Sequence, residues 1–165
     1  MTPRIICFEG KSLVSAGIAV FTGSLMSHVA WQVRSGALYE AVDPGFMCTE
    51  MTGDDPVLPF WKYHEKGVVL HFFEYKDPLT PEEESRAGEF LEAIHSQPYG
   101  FRTLFIFMLH PDRDPEPHEV ICSEAVLGAS IAAGRPLQER LRPWNCNPAD
   151  IFHSPLLKWT GTHIL

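Results

Sequence analysis

The sequence holds no CxxC pair, no block of Lys and Arg, and no apolar run near the roughly 18 residues that cross a bilayer. The first absence removes a zinc ribbon, whose ligands need close cysteine spacing. The second, with a formal net charge of −8, disfavours nucleic acid and an anionic membrane surface as partners, because an acidic face repels phosphate. The third leaves no segment for stable membrane insertion. The stretch "SLVSAGIAVFTGSL" is apolar but short; Glu9 and Lys11 precede it, and neither a basic leader nor a small-residue cleavage site frames it. A cytoplasmic protein is the expectation. HExxH is absent, and "EGKS" at residues 9–12 lacks the earlier glycine of a phosphate loop, which would fall on Ile5. The expectation is therefore no metal and no cofactor.

What is present fits one domain spanning residues 1–165. Hydrophobic residues make up 45% and charged residues 21%, the balance of a folded globular chain. Fourteen prolines and twelve glycines imply many turns and argue against a long helical bundle. The four cysteines, Cys7, Cys48, Cys122 and Cys146, are widely spaced. A chain of this size does not need disulfides, so buried free thiols are expected.

"RIICFEG" reads as a first strand, and Val14, Ile18 and Phe21 (with Leu13 before them) then fall at helical spacing until Gly23-Ser24. "SHVAWQVRSGALYEAV" is a hairpin pattern broken at Ser35-Gly36. Residues 43–60 are rich in Pro, Gly and Asp and read as a long surface loop. "GVVLHFFEY" is a strand. Thr80, Pro81 and Glu83 then form a helix-start signature, and Phe90, Leu91 and Ile94 give that helix an apolar stripe. "PYGFRTLFIFML" is an apolar run, strand or buried helix, and "HPDRDPEPHE" is a charged loop. "VICSEAVLGASIAAG" starts a helix with small residues for close packing, ending near Gly134. The tail from Arg135 onward reads as mostly irregular. This mixture of helices and hairpin strands predicts an α+β fold with an antiparallel sheet.

Cys122 directly precedes the helical run "SEAVLGASIAAG". A thiol there meets unsatisfied N–H groups and the positive end of the helix dipole, which lower its pKa and can hold an oxyanion. Cys7 in an apolar strand, Cys48 in the loop and Cys146 in the tail lack that setting. Six of the eight histidines, His64, His95, His110, His118, His153 and His163, fall in polar or turn-like segments. His71 lies inside a strand, while His28 opens a strand whose hairpin partner carries Glu40. A three-residue loop would put Glu40 on the face of His28, a two-residue loop would not, and a bulge could also join them. Taken singly, Cys122 is more often a buried core cysteine, His28 a satisfied or solvated histidine, and Glu40 a solvated strand residue.

The segments "TGSLMSHVAWQVRSGALYEAV", "QPYGF" and "VICSEAVLGASIAAGRP", in this order, resemble the circularly permuted NlpC/P60 papain-like cysteine hydrolases. The YiiX/YebB-like branch is most similar, and the lecithin:retinol acyltransferase-like branch is related. The resemblance covers roughly residues 20–135, with a weaker echo in Pro148-Ala149-Asp150. It implies a papain-like α+β fold with Cys122 as nucleophile, its N–H in the oxyanion hole, His28 as general base and acid, and Glu40 orienting His28. Tyr99 matches a family tyrosine that lines the substrate cleft. The chain departs from related families at its start, where "RIICFEG" replaces a Gly-Asp-hydrophobic strand. The implied activity is hydrolysis of an amide or peptide bond, cell-wall peptides included. The alternatives are acyl transfer or lipid-ester hydrolysis by the same residues, and a catalytically silent binding domain. The expected partner is a small peptide, amide or acyl substrate.

Overall fold

The computed structural model describes residues 2–42, 45–50, 66–100 and 119–165. Its centre is β1, Arg4–Glu9. Around it lie β2 (His28–Gln32), β3 (Leu38–Val42), β4 (Gly45–Thr49), β5 (Val69–Tyr75) and β6 (Leu157–Ile164). They form one six-stranded sheet in the order β4-β3-β2-β1-β5-β6, antiparallel throughout. The run Ile5-Ile6-Cys7-Phe8 is buried on both faces, as a central strand requires. Alternate side chains divide between two clusters. Ile5 and Cys7 join Val29, Trp31, Tyr39 and the helices, whereas Ile6 and Phe8 join Ala30, Leu38, Leu70 and Phe72 on the opposite face.

Four helices accompany the sheet among the described residues: α1 (Leu13–Thr22), α2 (Pro81–Ala93), α3 (Cys122–Ala132) and the short α4 (Pro148–Phe152). Ser12 caps α1, and Gly23 closes it at φ 64°. Ile18 is buried and Phe21 is partly exposed; the side chains of Leu13 and Val14 lie outside the described set. The capping box of α2 forms as its sequence predicts: Thr80 Oγ1 accepts from Glu83 N–H, and Glu83 accepts from Thr80 N–H. Ala87 and Leu91 are its fully buried residues, while Phe90 and Ile94 pack at the margin of the core.

Helix α3 is enclosed over Cys122, Ser123 and Ala125 through Ser130. Gly128 lets it approach α2, since a Cβ there would stand 2.4 Å from the Phe90 ring. A Schellman motif ends it, with Arg135 N–H donating to Ser130 C=O and Gly134, at φ 80°, donating to Ile131 C=O. Arg86 of α2 adds hydrogen bonds to the carbonyls of Ala132 and Ala133. These contacts hold the helix that begins at Cys122 by its far end.

Two readings of the sequence need correction. The loop expected over 43–60 contains β4 at residues 45–49, so Cys48 lies in a strand. Backbone contacts create this strand: it pairs with β3, and Phe46 exchanges hydrogen bonds with Gln97 C=O and Ser96 N–H. The tail is ordered rather than irregular. It holds a 3-10 turn at Pro143–Asn145, then α4, then β6. β6 is an edge strand with Leu157 as its one fully buried residue, it contains Gly161, and its register shifts opposite Phe72/Phe73. Such a strand lacks the apolar alternation by which sequence reveals strands. Residues 43–44 and 51–60, the run 101–109, the loop residues 110–118, and with them His64, His110 and His118, lie outside the described residues.

Candidate active site

The hairpin settles the relation of His28 to Glu40. Val33 N–H donates to Ala37 C=O, and Gly36 N–H donates to Val33 C=O, both at 2.9 Å. Arg34, Ser35 and Gly36 are therefore a three-residue loop, closed by Gly36 at φ 99°. Ala30 then faces Glu40, with Gln32 opposite Leu38. His28 and Glu40 share one face, without a bulge. Glu40 Oε2 lies 3.0 Å from His28 Nε2, with 0% exposure of the Glu40 side chain and 13% of His28. The Phe8 ring stands edge-on to the imidazole at 4.8 Å. With Nε2 committed to Glu40, Nδ1 is the ring nitrogen left for a second partner.

That partner is Cys122. It is the first residue of α3, where no side chain caps the helix. Its sulfur forms a hydrogen bond with the His28 side chain and accepts from the N–H groups of Val29 and Ser123. Cys122 belongs to the helix-bearing layer and His28 to the opposite face, so they meet at the end of the sheet where β2 begins. Burial by itself would raise the Cys122 thiol, but the His28 charge, its hydrogen bond and the two backbone donors together bring it below the ordinary value. Burial would likewise lower His28. The charge of and hydrogen bond to Cys122, with the bond to and charge of Glu40, prevail and push it up to about 10. The geometry supports a thiolate–imidazolium pair anchored by a carboxylate.

The other thiols go the opposite way. All four cysteines are free. Burial raises Cys7, Cys48 and Cys146. Cys7 is the informative contrast. It pairs across the sheet with His71, whose Nε2 lies 2.8 Å from Glu9 Oε1, which makes a second Cys, His and Glu group. Cys7, however, is fully enclosed in a central strand, and burial, with the Cys122 charge, holds its thiol neutral. His95, His153 and His163 are exposed.

Cys122 lines a small cleft together with Ile18, Phe21, Tyr99, Ile121 and Pro148. Tyr99 is placed there by a bridge to Val120, two residues before the cysteine. Burial raises its phenol, so it faces the cleft as a neutral hydroxyl. Sequence reasoning passed over two residues beside the sulfur. Ser123 Oγ donates to Cys146 C=O at 2.6 Å and ties the tail to the first turn of α3. Asn147 follows in that tail, lines the same cleft and caps α4. Asn-Pro-x-Asp, a helix-start signature, is the signal that could have marked it.

Among the described residues, no group of three or more His, Cys, Asp or Glu side chains is gathered as metal ligands would be. No helix among the described residues is long and apolar enough to cross a membrane. No known family model matches the sequence, and no curated protein does. Among solved structures, the metalloprotein YiiX from Escherichia coli O157:H7 is similar, with a TM-score of 0.71 and 20% identity over 100% of this chain and 98% of that one. The likeness is one of fold.

Proposed function

We propose that the chain is a thiol-dependent hydrolase with a circularly permuted papain-like arrangement of the NlpC/P60 kind, acting on an amide or peptide bond. One observation carries the reading: the hydrogen-bonded line from Cys122 through His28 to Glu40, set at a helix N-terminus and opening on a cleft. The sulfur of Cys122 attacks the carbonyl carbon, and a C–S bond forms while the oxygen takes the negative charge. The N–H of Cys122 donates to that oxygen. His28 gives its proton to the leaving nitrogen as the C–N bond breaks, leaving an acyl-enzyme. Water then gives a proton to His28 and its oxygen to the acyl carbon; the C–S bond breaks, and the thiolate–imidazolium pair returns. Glu40 holds the imidazole in one orientation and stabilises its charge throughout.

The apolar lining of the cleft favours a second reading, hydrolysis or transfer of a lipid acyl group by the same three residues. Intact-mass trapping of an acyl-enzyme separates them. A peptide thioester adduct on Cys122 that is absent in Cys122→Ala supports the first, and an adduct from a fatty-acyl ester alone supports the second. A thiol that forms neither adduct, and whose alkylation is unaffected by His28→Ala, would mean a binding domain without catalysis.

A further inference from the structure

The Cys122 N–H supplies one donor to a carbonyl oxygen in the cleft, and effective oxyanion sites use more than one. The tail beside α3 offers another. Asn147 lines the cleft together with Cys122 and Ser123. Its Oδ1 accepts from Asp150 N–H at 3.1 Å, and Asp150 Oδ2 accepts from Asn147 N–H at 2.9 Å. These bonds fix the orientation of the amide, since a flipped group would set N–H against N–H. Nδ2 is left with two hydrogens and no hydrogen bond among the described residues. The segment is also held relative to the sulfur, because Ser123, next to the nucleophile, binds the Cys146 carbonyl from the buried first turn of α3.

We propose that the side-chain amide of Asn147 is the second oxyanion donor, converging with the Cys122 N–H on the carbonyl oxygen of the bound acyl group. Asn147 is then a catalytic residue that does no proton chemistry: it strengthens a hydrogen bond as negative charge develops on the oxygen. Its role as α4 cap is separable, because the cap uses Oδ1 and the oxyanion would use Nδ2. The inference rests on the hydrolase reading, and the test separates the two.

Asn147→Ser keeps a capping oxygen and withdraws the amide; Asn147→Asp keeps shape and cap but presents no N–H donor. Each is compared with the unaltered chain in two reactions. Acylation by p-nitrophenyl acetate passes through an oxyanion, whereas alkylation by iodoacetamide does not. Asn147→Ser should lower the acylation rate constant by about 10²-fold to 10³-fold, with KM little changed. Its alkylation rate at neutral pH should stay within about twofold, reporting an intact Cys122–His28 pair. Asn147→Asp should lose acylation at least as severely. Acylation by Asn147→Ser within about threefold of the unaltered chain, or an equal loss in both reactions, overturns the assignment. If the unaltered chain releases p-nitrophenol no faster than Cys122→Ser, the hydrolase reading itself fails, and this inference with it.

Discussion

Replacing Cys122 by serine removes the sulfur from beside His28 and leaves Glu40 in place. Burial opposes the imidazolium, the sulfur is the largest influence in its favour, and the carboxylate 3.0 Å from Nε2 is the other. Together they raise His28 from an ordinary 6.5 to about 10. Without the sulfur, burial and the carboxylate pull against each other, so the His28 pKa should fall. The expected fall is from about 10 back toward the ordinary 6.5, each unit of it worth about 1.36 kcal/mol. NMR of the imidazole ring protons, followed from about pH 5 to about pH 11, reads this directly in both proteins. The unaltered chain should show one histidine with an inflection near 10, and Cys122→Ser should bring it back toward neutrality. An inflection of the His28 ring near 6.5 in the unaltered chain, or one that Cys122→Ser does not move, would refute the ion pair.

The same pair governs how stability responds to pH. His28, raised on folding, contributes stability that is complete below its unfolded value near 6.5 and is lost as pH rises through about 10. Cys122, lowered on folding, contributes stability present above its unfolded value and lost as pH falls through its folded one. Where the folded pair is imidazolium and thiolate and the unfolded pair imidazole and thiol, each state holds one proton and the slopes cancel. Urea unfolding should therefore show little contribution from this pair between about pH 7 and 8, whereas in Cys122→Ser stability should decline with pH by up to ~1.4 kcal/mol per unit. Glu40→Gln keeps the shape but removes the charge beside His28; the pH inflection of Cys122 alkylation should rise, and ester turnover should fall about 10²-fold. Gly36→Ala forces a side chain into φ 99° and should cost about 1–2 kcal/mol in urea unfolding, loosening the hairpin that sets Glu40 beside His28.

How legible the molecule was depended on how local each signal is. The start of α2 was readable because Thr80, Pro81 and Glu83 satisfy one another within a single turn. Gly134 marked the end of α3 for the same reason, a left-handed residue being needed at that point. The hairpin was readable, but the meeting of His28 with Glu40 was readable only conditionally, because sequence does not reveal loop length. β4 and β6 were illegible because their neighbours create them: backbone pairing to β3 and Gln97 for one, a bulged edge on β5 for the other. The Glu9–His71 pair depends on the β1–β5 register and has no local trace. Cys122 stood out from the other cysteines through its place before a helix, yet its thiol is lowered chiefly by the His28 charge and hydrogen bond, a partner distant in sequence, with the Ser123 N–H of the helix a lesser donor.

His28 and Cys122 come from opposite layers. His28 and Glu40 are joined within one hairpin, while Cys122 arrives on a helix docked against the other face of the sheet. The thiol is therefore a gauge of docking. A slight loosening of α3 would part sulfur from imidazole while the strands stay paired, and local openings of this kind need less free energy than global unfolding. In mild denaturant, loss of the fast alkylation of Cys122 should precede any change in β-sheet circular dichroism. The reactive state would then report the seating of one helix, well before the chain as a whole gives way.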